Sequence, residues 1–70
     1  MQLKYTAVTK KDGEWWIGWI EEIPGVNCQE RTHDKLIESL KEALKDAIDF
    51  NRRDALKAAK HDYHEEPVTI

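Results

Sequence analysis

The sequence predicts an α+β domain: a three-stranded antiparallel sheet packed by one long helix and closed by a C-terminal edge strand, in the order β-β-β-α-β. Three observations carry that expectation. The run Glu14-Trp15-Trp16-Ile17-Gly18-Trp19-Ile20 is too aromatic and β-branched to favour helix. In Ile23-Pro24-Gly25-Val26, Pro24 presets the first central torsion of a type II turn, and Gly25 supplies the positive φ of the second. After the turn, apolar residues recur at helical spacing from Leu36 to Phe50.

Leu3, Tyr5 and Ala7 alternate with Gln2, Lys4 and Thr6, the period-two pattern of a half-buried first strand. Lys10-Lys11-Asp12-Gly13 reads as a hairpin loop with Asp-Gly at its turn. The second strand carries Trp15, Ile17 and Trp19 on one face and Trp16, Gly18 and Ile20 on the other. Both faces are apolar. A helix can cover one; the other needs a second cover, either another subunit or a partner protein. Gly18, flanked by tryptophan positions, leaves room for a ring or a close backbone.

Val26 to Glu30 forms a third short strand that ends near a helix start. Thr32 is the expected N-cap, its hydroxyl accepting from an exposed amide of the first turn. The reciprocal capping-box acid would fall at Lys35 and is missing. Asp34 suits the positive end of the helix dipole. Leu36, Leu40, Ala43, Ala47 and Phe50 form one apolar stripe, widened by Ile37, Leu44 and Ile48. The charges on the remaining surface describe a solvated face.

Past Phe50 two continuations are open. Ala55, Leu56 and Ala59 extend the same helix, or Asn51-Arg52-Arg53-Asp54 interrupts it and Asp54 caps a second, short one. A break or bend near Asn51 is expected, because an unbroken helix to Lys60 would be about 42 Å long and would overhang strands of ~27 Å. Val68 and Ile70 supply the last edge strand, with Pro67 tolerated at its start.

Seventy residues make a single domain, 1–70, whose core must be thin. Oligomerisation commonly supports a domain of this size. Eleven basic and 14 acidic residues give a net charge of −3, which argues against nucleic acid as the main partner and suits a basic protein. The lone Cys28 points to a reducing compartment and a plain strand residue. No apolar run approaches the ~20 residues of a membrane span, and no signal pattern opens the chain. A soluble, cytoplasmic protein is expected.

Candidate chemistry is weak. His61-Asp62-Tyr63-His64, with Glu65 or Glu66, could gather on a divalent ion if helical, but solvated tail residues are the stronger reading. Asp12, Glu14, Glu21, Glu22 and Glu30 could be paired carboxylates, yet no base or nucleophile is placed to converge on them. Cys28 and His33 lack a third orienting group. The tryptophans could stack bases, but acidic neighbours would repel phosphate. No enzymatic activity, cofactor or metal site is expected.

Taken in order, Tyr5-Thr6-Ala7-Val8, the glycine hairpin, the aromatic strand, Ile23-Pro24-Gly25, Gln29-Glu30-Arg31-Thr32 and Glu42-Ala43-Leu44 resemble the HicB-like antitoxin family over about positions 5 to 50. Glu21, Glu30 and Lys35 depart from its pattern. The resemblance implies a partial RNase H-like fold without nuclease activity, homodimers or higher oligomers, and a HicA-like toxin as partner. That partner is a small basic RNA-cleaving protein whose active surface is covered in the complex. Many family members carry a C-terminal DNA-binding domain; the short charged tail here counts against direct DNA binding. With the chain's acidity, the resemblance places partner contact on Asp12, Glu14, Trp16, Trp19, Glu21 and Glu22, and leaves Pro24, Gly25 and Thr32 as turn and capping residues. The alternative is a stand-alone oligomer with a structural or ligand-sensing role and no toxin.

Overall fold

A computed structural model describes residues 4–70. It is an α+β arrangement of strands β1 (Ala7–Asp12), β2 (Trp15–Ile20) and β3 (Asn27–Glu30) and one helix, α1 (His33–Ala59). The sheet is an antiparallel meander in the order β1-β2-β3. Its register sets Val8 opposite Trp19, Lys10 opposite Ile17 and Asp12 opposite Trp15. On the other side, Ile17 faces Gln29 and Trp19 faces Asn27.

The turns follow from their glycines. Gly25 has φ +86°, as the second central position of a type II turn demands, and the Ile20 amide donates to the Val26 carbonyl at 3.1 Å to close the loop. Gly13 has φ +62° while Glu14 does not enter the positive-φ region, the pattern of a two-residue II′ hairpin. Lys10, Lys11 and Asp12 are therefore strand residues rather than the expected loop. Tyr5 precedes β1 instead of lying within it, and Leu3 falls outside the described residues. An edge strand tolerates such charges because its outer side meets water.

Thr32 caps α1 as expected: φ −128° and ψ 154° are extended, and its Oγ1 accepts from the Lys35 amide at 3.2 Å. Leu36 and Leu40 from the helix, with Ile20 and Val26 from the sheet side, are the buried apolar residues among those described. Trp16, Ile23, Cys28, Ala43, Leu44 and Ala47 pack around them. Gly18 sits over both leucines. A Cβ there would lie 3.1 Å from each and 3.0 Å from the Val8 carbonyl, so its absence lets helix and sheet close together.

Two expectations fail beyond this core. The helix does not break near Asn51, and Asp54 caps no second helix; α1 runs 27 residues to Ala59. Nothing between Gly25 and Pro67 is glycine or proline, and overhanging a sheet costs a helix only the packing it forgoes. It ends where Lys60 turns to φ +68°, its amide donating to the Leu56 carbonyl at 3.1 Å. Phe50, placed by periodicity in the apolar stripe, lies past the sheet and is exposed. The C-terminal edge strand is also absent: residues 63–70 have no regular structure, and Val68 and Ile70 are in solvent. By the end of α1 the chain has been carried far from the sheet.

Candidate functional site

Alternation along β2 divides its side chains between the two layers. Trp16, Gly18 and Ile20 point to the helix, and Trp15, Ile17 and Trp19 point away. Register adds Val8, Lys10 and Asp12 from β1 and Asn27 and Gln29 from β3 to that outer face. No described element covers it. Trp15 remains 36% exposed and Trp19 40%, although both belong to the central strand. A shallow depression lies between Ile17, Trp19, Asn27 and Gln29. The outer face is thus an aromatic strip framed by amides that the described elements leave uncovered.

One end of the strip is already organised. The Arg31 guanidinium lies 4.2 Å from the Trp15 ring centroid, and its Nη1 donates to Glu14 Oε2 at 3.2 Å. Trp15 is thus held flat beneath a cation that is itself tethered. At the opposite end, the Thr6 amide donates to Glu22 Oε1 at 2.7 Å, and the Glu21 amide to the Thr6 carbonyl at 2.9 Å. The Thr6 bond holds the Glu22 carboxyl below its usual range.

The six residues expected to contact a partner do not form one patch. Asp12 and Glu14 mark the β1–β2 hairpin, whereas Glu21 and Glu22 lie beyond the other end of β2, roughly 20 Å away at strand rise. Trp19 stands on the open face between them. Trp16 does not: it faces the helix layer, edge-on to His33 at 5.1 Å between centroids, with Lys11 Nζ 5.4 Å from its ring. Trp15, Ile17 and Arg31 belong to the surface instead. Strict alternation from Trp19 identifies the first two, while Arg31 follows from no local signal in the sequence.

The chemical alternatives find little geometry. Among the described residues no group of three or more His, Cys, Asp or Glu side chains could hold a metal ion. His61 and His64 lie beyond the helix, so their spacing does not place them on one helical face. Burial, and then the neighbouring Glu30, pushes the Cys28 thiol up, away from a reactive thiolate. Glu30 itself accepts from Ser39 Oγ at 2.6 Å and ties β3 to the helix. No helix among the described residues is long and apolar enough to cross a membrane. Compared with protein-family models, curated proteins and solved structures, the chain matches none.

Proposed function

We propose that the chain is an antitoxin-like protein-binding module that covers the active surface of a small basic, RNA-cleaving toxin of HicA-like type. The observation that carries this is the open face of β2, where Trp15 and Trp19 are exposed on either side of a half-buried Ile17 in the middle of a paired sheet. Aromatic side chains on a rigid strand anchor protein interfaces at small entropic cost. Glu21 and Glu22 at one end and Asp12 and Glu14 at the other would meet basic groups flanking the contact. Occlusion needs no chemistry from this chain, only a stable complex burying about 1,200–2,000 Å².

The meander followed by one helix gives the first four elements of the β-β-β-α-β order that the family resemblance implies, without its last strand, and the single cysteine favours a reducing, cytoplasmic setting. A second reading is favoured by one detail. Lys10 and Asp12 place one charge of each sign on the open face, which suits a stand-alone oligomer as well as a basic ligand. Co-expression with the protein encoded by the neighbouring reading frame separates the two. The antitoxin reading expects restored growth and a co-purifying complex that Trp19→Lys abolishes. Absence of both overturns it in favour of the oligomer.

A further inference from the structure

The distal half of α1 is a feature that the open sheet face leaves unused. Ala47 is the last helix residue packed on the core, yet the helix continues through three further turns. Phe50 stands on this overhang, 67% exposed. Charge is sorted along the axis on either side of it. From Asp34 to Asp49 the helix has five acidic and three basic residues; from Asn51 to Ala59 it has three basic and one acidic, and Lys60 at its C-cap adds a fourth basic group.

Asp46, Phe50, Arg53 and Lys57 are spaced by four, three and four residues and so share one stripe. Shallow depressions flank the phenyl ring, one lined by Asp46, Asp49 and Arg53, the other by Arg53, Asp54 and Lys57. The ion pairs formed among the described residues lie elsewhere, at Arg31–Glu14, His33–Asp34 and His61–Asp62. The charges of the stripe are open to an outside partner.

A polar sequence of this kind is self-complementary in one orientation. If a second copy runs antiparallel with the two-fold axis midway between Asp49 and Phe50, Asp46 is level with Arg53 and Glu42 with Lys57, each twice by symmetry, and the two Phe50 rings meet about one residue rise apart. A parallel pairing would set acid against acid and base against base. From Glu42 to Lys60 the contact would extend about 27 Å. Two helices alone over that length fall at the low end of stable interfaces, about 1,000 Å² in total, so the pair would be weak and salt-sensitive.

We propose that the overhanging half of α1 is a self-association surface on which a second copy of this chain docks antiparallel, Phe50 against Phe50 and Asp46 against Arg53. It is separate from the open sheet face, so either assignment can fail without the other.

Sedimentation of the full chain at high micromolar concentration and low ionic strength tests it. The wild type is expected to dimerise. Phe50→Ala, Asp46→Arg and Arg53→Asp should each weaken the dimer about tenfold or more, with helicity by circular dichroism unchanged. Mixing Asp46→Arg with Arg53→Asp should restore a dimer, since both ion pairs become attractive in the heterodimer. A wild type that stays monomeric, a dimer indifferent to these substitutions, or a mixture that remains monomeric would each overturn the proposal. A dimer lost on Trp19→Lys but not on Phe50→Ala would overturn it too, by placing self-association on the sheet.

Discussion

Gly18 and Gly25 are both required, for unrelated reasons. At Gly18 the obstacle is space: a methyl group would press on the Val8 carbonyl and on Leu36 and Leu40 where the two layers are closest. At Gly25 there is open space, and the obstacle is φ +86°. Gly18→Ala should therefore destabilise by about 1–3 kcal/mol through overpacking. Gly25→Ala should cost about 1 kcal/mol through backbone strain, most of it recovered by Gly25→Asn, because asparagine tolerates positive φ. Denaturant midpoints measure both, and equal costs for Gly25→Ala and Gly25→Asn would contradict the turn argument. Glu22 adds a pH dependence. The Thr6 amide favours its carboxylate, so the folded pKa lies below the unfolded one. That contribution is complete above the unfolded value and is lost as the pH falls through the folded value. In an NMR titration the Thr6 amide should follow the lowered Glu22 transition, and Glu22→Gln should remove it. An unshifted Glu22 would refute the bond.

At the scale of the element, α1 has two halves with different support. Leu36 to Ala47 are held by tertiary packing, whereas Asn51 to Ala59 rely on backbone hydrogen bonds and propensity. Amide exchange should show strong protection through Leu44 and rapid exchange beyond Asn51 at low protein concentration; uniform protection would mean that the overhang is covered even then. The same contrast explains how much of the fold could be read from the sequence. The alternation in β2, the Pro24-Gly25 turn, the Thr32 cap and the Leu36–Ala47 stripe are local patterns, and each appears as expected. The helix end was hidden because Asn51-Arg52-Arg53-Asp54 contains no strong breaker, and Lys60 leaves the helix at a positive φ that its residue type does not advertise. The extent of β1 was hidden because Lys10, Lys11 and Asp12 look like loop residues until pairing with β2 claims them. Half of the candidate surface was legible for a similar reason. Alternation sets Trp16 and Trp19 on opposite faces, but only packing against Leu36 and Leu40 decides which face is open, and register decides which residues flank Trp19.

For the whole molecule, the consequence is a chain with little interior. Its extents of 51 × 24 × 15 Å and radius of gyration of 15.2 Å exceed the roughly 11 Å of a compact domain of this length. Few large side chains are fully buried, so stability in isolation should be modest, and any partner of the folded state should raise it by mass action. Trp19 separates folding from binding most cleanly. Its ring lies on the open side of the sheet, away from Leu36 and Leu40, and contributes little to the closure of the two layers. Trp19→Ala should change the stability of the isolated chain by less than about 1 kcal/mol. If the open face is the interface, the same substitution should cost about 2 kcal/mol or more of partner binding, since a central aromatic anchor is lost. Chemical denaturation and calorimetric titration on one preparation provide the two numbers. A chain that unfolds on losing Trp19 would place that ring in the core, and unchanged affinity would move the interface off the sheet.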